Sequence, residues 1–233
     1  MSKEKVCHPL KKDELKISNS EKVEEKIYYP LKKDDFKFSD AEKIEKIESH
    51  FRSIMDILGL DLNDDSLAKT PRRIAKMYVK DIFSGLKITN KPNNSVFENK
   101  YRYNQMLIER NIMVYSTCEH HFLPIIGKAH VAYISKNEVV GLSKINRIVD
   151  YYAKRPQVQE RLTLQIVKAM QDILATKDVA CIIDAKHLCV NSRGIRDVDS
   201  STITYELGGL FKDDVKIRNE FFNNLHIKTS FNG

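Results

Sequence analysis

Hydrophobic residues in the first third of the chain recur at the spacing of an α-helix. Ser39 and Glu42 form a capping-box pattern, and apolar residues follow at intervals of three and four until Gly59, which suits a helix end. A second helix is predicted to open at Thr70-Pro71, because proline fits the first helical position. The pattern therefore predicts a helical region over residues 39–90.

Beyond residue 90 the apolar positions follow the pattern of a mixed α and β domain. Four strands are predicted, at 106–115, 128–134, 179–185 and 202–211. Residues 118–127 are predicted to connect the first two strands. Two amphipathic helices are predicted between the second and third strands, one after Gly141 and one over 157–174. This order predicts an α+β domain over residues 91–233.

The segment ahead of these elements contains a duplicated pattern. The run that begins His8-Pro9-Leu10 recurs as Tyr29-Pro30-Leu31, and each copy continues with two lysines and two acidic residues. Two copies are too few to build a solenoid. Residues 1–38 are therefore expected to form a polar, flexible tail.

The composition is that of a globular protein with reduced cysteines. Of the 233 residues, 42% are hydrophobic and 30% are charged, which is ordinary for a chain with a buried core. The first residues contain no apolar signal segment, and no apolar run is long enough to cross a bilayer. We therefore expect a cytoplasmic protein with no membrane partner. Four unevenly spaced cysteines then favour metal binding or catalysis over disulfides.

The net charge of +7 comes from the part of the chain beyond residue 50. The first fifty residues contain twelve lysines and twelve acidic residues, which cancel. No run of clustered lysine and arginine with interleaved aromatic residues occurs, so nucleic acid is not the predicted partner. The basic excess fits a polyphosphate substrate.

Two short motifs contain residues that commonly bind metals. Cys118 and His121 are spaced C-x-x-H, and His187 and Cys189 follow far downstream. Strand periodicity would place His187 and Cys189 on one face, so that both side chains enter one cavity. Cys118, His121 and Cys189 are therefore candidate ligands of a Zn²⁺ ion. Three protein ligands leave the fourth tetrahedral position for water, as in catalytic zinc sites.

His120 and His187 would then lie beside the metal without binding it. Histidine has the unperturbed pKa best suited to proton transfer near neutral pH, so these two are candidate acid and base catalysts. The alternative is that the cysteines and histidines are ordinary core residues, since free cysteine is often buried as a small hydrophobe. Cys181 is expected to be of that kind.

Four ordered blocks resemble the signature of GTP cyclohydrolase I. They are CEHH at 118–121, GLSKINR at 141–147, QVQERLT at 157–163 and HLC at 187–189. The resemblance implies the tunnelling fold, in which each subunit has a four-stranded antiparallel sheet with two helices. N-terminal helices would precede that fold here. Five sheets would close a barrel, which removes open sheet edges, and two such rings would form a homodecamer.

The resemblance implies the conversion of GTP and water into 7,8-dihydroneopterin triphosphate and formate, the first step of reduced-pterin synthesis. Zn²⁺ would be bound by Cys118, His121 and Cys189, and its water would attack C8 of the guanine. His120 and His187 would act as general acid and base.

The same resemblance implies how GTP is recognised. Glu160 would offer two acceptors to the N1–H and 2-amino group of guanine, which adenine does not match. Gln159 would add a neighbouring contact, and Ser143 would assist the later rearrangement of the ribose. The triphosphate would be bound by Lys144, Arg147 and Arg193, with Arg73 and Lys76 reaching in from a neighbouring subunit.

Two other functions remain open at this point. Another tunnelling-fold enzyme, such as a pterin synthase or a nitrile-reducing relative, would share the architecture but would not need this Cys, His and Cys set. A zinc-stabilised nucleic-acid-binding module would show salt-dependent affinity for DNA or RNA and would unfold when zinc is removed.

Overall fold

Two helices precede the sheet in the sequence and pack against each other. The computed structural model describes residues 29–32, 38–93 and 95–227. Helix α1 spans Asp40–Ile57, and both hydrogen bonds of the predicted capping box are present at its start. Helix α2 spans Thr70–Met77 and continues into a π-helical turn, Tyr78–Ile82. Most of the tail predicted over 1–38 lies outside the described residues.

The main sheet has five strands in the order β5-β2-β3-β6-β7. The strands of the described residues are β1 (Phe97–Glu98), β2 (Met106–Cys118), β3 (Pro124–Ile134), β4 (Glu138–Val139), β5 (Pro156–Gln157), β6 (Val179–His187) and β7 (Thr202–Leu207). Strands β2, β3, β6 and β7 pair antiparallel, whereas the two-residue β5 pairs in parallel with the end of β2. Strands β1 and β4 form a separate antiparallel ladder.

Two long helices cover one face of this sheet. They are α3 (Leu142–Ala153) and α4 (Gln159–Leu174), and both carry an apolar stripe inward. Val114, Val131 and Ile183 from the strands pack with Ile148 and Ile166 from the helices in one buried cluster. The predicted α+β arrangement of four antiparallel strands and two helices is therefore confirmed.

The C-terminal segment differs from its predicted form. The last predicted strand was 202–211, but β7 ends at Leu207 because Gly209 adopts a positive φ of 48° and turns the chain. Two further helices follow, α6 (Leu210–Asp213) and α7 (Val215–Leu225). Phe211 and Phe221 from these helices are buried in a second cluster with Ala132 and Ile182 of the sheet.

The outer edges of the sheet are open along most of their length. Strand β5 covers only Thr117 and Cys118 of β2, and no described strand pairs with the outer side of β7. Ile203 and Tyr205 of β7 are also exposed. Such edges are ready to pair with another chain. Separately, none of the described helices is both long and apolar enough to cross a membrane.

Gly127 sets the distance between β3 and β6. A Cβ atom on Gly127 would lie 2.1 Å from the carbonyl oxygen of Asp184 and 2.4 Å from the Cα of Ala185. We expect Gly127→Ala to lower the free energy of unfolding by about 2–3 kcal/mol, because neither backbone atom can yield without shifting a strand. The measurement is urea unfolding at fixed protein concentration.

Gly141→Ala provides the matched control for that substitution. Its Cβ would meet only Phe97 Cε2, at 3.9 Å. We expect a loss of at most about 1 kcal/mol, the difference between glycine and alanine at a helix N-cap. Equal losses for the two variants would contradict the importance of the close approach at Gly127.

Candidate metal centre and active site

A short loop at the end of β2 carries the first metal-binding motif. The predicted connection of 118–127 is shorter in the structure, because β2 continues to Cys118 and β3 begins at Pro124. The loop is closed by hydrogen bonds from Cys118 N to Leu123 O, at 2.8 Å, and from Phe122 N to Cys118 O, at 2.9 Å. The strand pairing therefore holds both ends of the loop that contains His121.

The second motif reaches the same point from β6. Strand β6 ends at His187, and Cys189 lies in the one-turn helix α5 (Leu188–Asn191). The prediction that Cys189 continues the strand and shares its face with His187 is therefore wrong, since the chain coils immediately after His187. The coiled turn nevertheless brings Cys189 to the loop: the ligand atoms of Cys118, His121 and Cys189 all lie within 4.8 Å of one another.

This donor set fits a divalent metal such as zinc. Two thiols and one imidazole are ligands that Zn²⁺ prefers, and three of them leave one tetrahedral position for another ligand. Burial, followed by the adjacent Cys118 thiol, raises the pKa of Cys189. A cation between the two sulfur atoms would favour their thiolate forms. Cys181, in contrast, is fully buried within the sheet core, as expected.

His187 is fixed by a hydrogen bond to Gln159. Its Nε2 lies 2.8 Å from Gln159 Oε1. An amide oxygen only accepts, so His187 Nε2 carries the proton and Nδ1 remains for exchange with a ligand. Burial lowers the pKa of His187, while the carboxylate of Glu160 acts in the opposite direction.

Gln159 is itself held by acceptors that define its orientation. The two hydrogens of its Nε2 are shared among three acceptors, Ile183 O at 3.0 Å, Thr202 O at 2.8 Å and Thr204 Oγ1 at 3.1 Å. Thr163 Oγ1 lies 2.7 Å from Thr204 Oγ1 and donates to Gln159 O. Gln159 is 1% exposed, so the structure places it behind His187, where its side-chain amide is already used by the protein.

His120 lies near the carboxylate of Glu119 and the thiol of Cys118. His120 is largely exposed, and its Nε2 lies 4.0 Å from Glu119 Oε1. The other carboxylate oxygen of Glu119 accepts a hydrogen bond from Arg161. Sequence reasoning did not identify Glu119 or Arg161, although both lie inside the signature blocks. Their charges are opposite but 42 positions apart, so only the fold shows that they pair.

The N-terminal helices contact the loop through one aromatic residue. Phe122 adopts a positive φ of 53°, an uncommon conformation for a bulky residue. Its ring lies 5.3 Å from that of Phe83 and 6.4 Å from that of Tyr78, which in turn packs on Phe51 of α1. The helical region therefore supports the loop that carries His121.

Two of the predicted substrate-binding residues lie near the metal ligands. Glu160 is exposed in the first turn of α4, close enough to influence His187 electrostatically. Arg193 is exposed beyond α5 and lies close enough to Cys189 for its charge to oppose the rise that burial causes in the pKa of that thiol. Both side chains are therefore positioned to contact a ligand at this end of the sheet.

The residues predicted on α3 lie at the other end of the sheet. Asn146 donates to Glu109 Oε1 at 3.1 Å, and Glu109 lies eight residues before Thr117 along β2, a strand length of about 26 Å at 3.3 Å per residue. Ser143 and Arg147 are exposed in the same part of α3. Within one chain they are therefore remote from Cys118.

Lys144 already has partners inside the chain. Its ammonium donates to Asn93 O and Ser95 Oγ, both at 2.7 Å, and to the side-chain oxygen of Asn93. Together with Arg147 it lines a cavity of about 400 Å³ that none of the three metal-ligand candidates borders. Arg73 and Lys76 are exposed on α2.

Comparison with known proteins gives one consistent result. The family model described as GTP cyclohydrolase I matches residues 47–226. A protein named GTP cyclohydrolase 1 from Flavobacterium johnsoniae is 60% identical over 224 residues, which covers 96% of this chain and 91% of the relative. Proteins of the same name from Aeromonas salmonicida and Yersinia enterocolitica are each 58% identical. They cover 77% and 76% of this chain, and 83% and 80% of their own lengths.

Substitution of the buried Gln159 tests whether its hydrogen bonds stabilise the part of the fold behind His187. We expect Gln159→Glu to lower the free energy of unfolding by at least about 2 kcal/mol, because a carboxylate would face three acceptors that now receive hydrogen bonds. Chemical unfolding measures the loss, and Gln105→Glu at an exposed turn provides the control. Equal stability of the two variants would show that the Gln159 amide is not held as described.

Proposed function

Because this chain belongs to the GTP cyclohydrolase I family, we propose that it opens the imidazole ring of GTP at a metal centre formed by Cys118, His121 and Cys189. The observation that carries the proposal is the convergence of these three ligand atoms beside two histidines, at one end of the sheet. The products would be formate and 7,8-dihydroneopterin triphosphate, at the first step of pterin synthesis.

The three candidate ligands would hold the metal ion on which this reaction depends. When bound, Zn²⁺ would act as a Lewis acid and lower the pKa of its water toward neutrality, which supplies a nucleophile for guanine C8. Cys118 and Cys189 would hold the ion as thiolates, and His121 as a neutral imidazole. The pairing of β2 with β3, the closed loop and the end of β6 bring the three ligand atoms within 4.8 Å of one another.

The two histidines transfer the protons that ring opening requires. Breaking the C8–N9 bond leaves N9 to receive a proton and C8 as a formyl group on N7. Release of formate then requires a second water to lose a proton and add to that formyl carbon, so that the C8–N7 bond breaks and N7 receives a proton. His187 would act through Nδ1, because Gln159 holds the proton of Nε2. His120, which is exposed and lies beside Glu119, would act on the opposite side of the ring. Each histidine is thus oriented by a second residue of the chain.

Glu160 would select guanine over adenine. Its carboxylate is exposed one position after the buried Gln159, so the two side chains face a ligand and the protein interior respectively. A carboxylate presents two acceptors to the two adjacent donors of guanine, N1–H and the 2-amino group. Arg193, near Cys189, would contact the triphosphate of the same nucleotide.

The complete site would be assembled from several subunits of a homodecamer. Lys144 and Arg147 line a cavity that none of the three candidate metal ligands borders, and Ser143 lies beside them at the start of α3. The open edges of β2 and β7 would allow sheets to join into a barrel. Neighbouring copies would then supply these residues, and also Arg73 and Lys76, to each metal centre.

The first test measures formate release from GTP together with metal content. We expect turnover with Zn²⁺ bound at one ion per chain, and loss of turnover after chelation while the oligomer remains assembled. Addition of Zn²⁺ should restore activity. Turnover by metal-depleted protein would contradict the proposal, and unfolding on chelation would indicate a structural metal.

The second test concerns guanine recognition. We expect Glu160→Gln to raise KM for GTP by about tenfold or more, because one acceptor becomes a donor facing a donor of the base. Stability should be unchanged, since Glu160 is exposed. Steady-state kinetics measure the effect, and Glu220→Gln on the surface of α7 is the control. An unaltered KM would remove Glu160 from base recognition.

A further inference from the structure

The second copy of the duplicated N-terminal pattern contacts the catalytic domain through Tyr29. The ring of Tyr29 lies 4.6 Å from the guanidinium carbon of Arg161 and 5.5 Å from that of Arg155. Its hydroxyl donates to Pro156 O at 2.7 Å. Burial raises the pKa of Tyr29 to about 12, so the phenol remains a neutral donor at physiological pH. The residues that follow, Pro30 to Lys32, are exposed.

Arg155 forms a rigid base for this contact. It is 9% exposed, and its Nε donates to Gly85 O at 2.9 Å. Its guanidinium also lies 4.5 Å from the ring centre of Tyr151 and 4.7 Å from that of Tyr152. Tyr29 therefore adds a third aromatic ring to a cation that the protein already holds on several sides.

Arg161 connects this contact to the active site. Its Nε donates to Gln157 Oε1 at 2.9 Å, while its terminal nitrogen donates to Glu119. Glu119 in turn lies between Arg161 and His120. A continuous series of contacts therefore runs from Tyr29 through Arg161 and Glu119 to the imidazole of His120.

We propose that Tyr29 is a positioning residue, which fixes the Arg161–Glu119 pair and thereby the position of the neighbouring His120. The inference rests on the proposed function, because it assigns Tyr29 an effect on that reaction. The aromatic ring covers the face of Arg161 and limits the access of water to an ion pair that is only partly buried. Exclusion of water strengthens both the cation–π contact and the ion pair.

The two copies of the duplicated pattern differ at the position of this contact. The position equivalent to Tyr29 in the first copy is His8, which lies outside the described residues. A tyrosine has a ring of the kind that binds a cation on its face and also supplies a hydroxyl donor, and the first copy of the pattern lacks both at this position. The contact therefore selects the second copy of the pattern.

The test combines substitutions at Tyr29 and Glu119 in the full-length protein. We expect Tyr29→Ala to lower kcat for formate release by about three- to tenfold, the range set by loss of a cation–π contact, with little change in KM. Tyr29→Phe should recover most of the activity, because it retains the ring. In a Glu119→Gln background, Tyr29→Ala should produce no additional loss, because both substitutions break the same series of contacts.

Three results would overturn the inference: wild-type kcat for Tyr29→Ala, independent effects of the Tyr29 and Glu119 substitutions, or loss of bound metal in Tyr29→Ala. Tyr101→Ala, at a tyrosine that is 96% exposed, is the control for removal of a ring. His8→Ala should leave kcat unchanged, and a loss equal to that of Tyr29→Ala would contradict the choice of the second copy. Failure of the wild-type protein to release formate would instead refute the proposed function.

Discussion

The antiparallel pairing of β3 with β6 is the constraint on which the candidate site depends. This register sets Ile125 opposite His187, so the chain that leaves β6 passes directly beside the loop that precedes β3. Pairing of β2 with β3 then places Cys118 next to the same point. A shift of one residue would reverse the faces of these strands and separate the two motifs. The strand pairing therefore determines where the candidate ligands meet, although His121 and Cys189 themselves lie outside the strands.

Gln159, which orients His187, is buried, whereas Glu160, which is proposed to contact the nucleotide, is exposed. Helix α4 shows this division at consecutive positions, because Gln159 points into the protein and Glu160 points outward. The buried amide has defined partners, so it restricts His187 to one ring orientation. The Arg161–Glu119 pair lies beside His120 as Gln159 lies beside His187, but this pair is more exposed to solvent. A fully satisfied buried network holds a catalytic group more firmly than a partly hydrated pair.

Local signals in the sequence were sufficient for much of the fold. The capping box at Ser39 depends on residues three positions apart, and its prediction was confirmed. The position of Cys189 was predicted from strand periodicity, and that prediction was wrong because β6 ends at His187. The local sequence pattern does not determine where a strand ends. Helix α7 was missed although Asp214 caps it, because its few apolar residues become informative only when packed on the sheet. The contacts of Tyr29 and Lys144 join distant segments and have no counterpart in sequence spacing.

The packing of Phe122 against Tyr78 and Phe83 couples the conformation of the loop to the position of the N-terminal helices. The left-handed backbone at this position disfavours a bulky side chain, and aromatic packing against Tyr78 and Phe83 offsets that cost. Occupation of the neighbouring ligand set by a cation would restrict the same loop. By thermodynamic reciprocity, ion binding then tightens the attachment of the helices to the sheet, and firm attachment of the helices raises affinity for the ion. A substitution on the inner surface of α1 can thus alter metal affinity without touching a ligand.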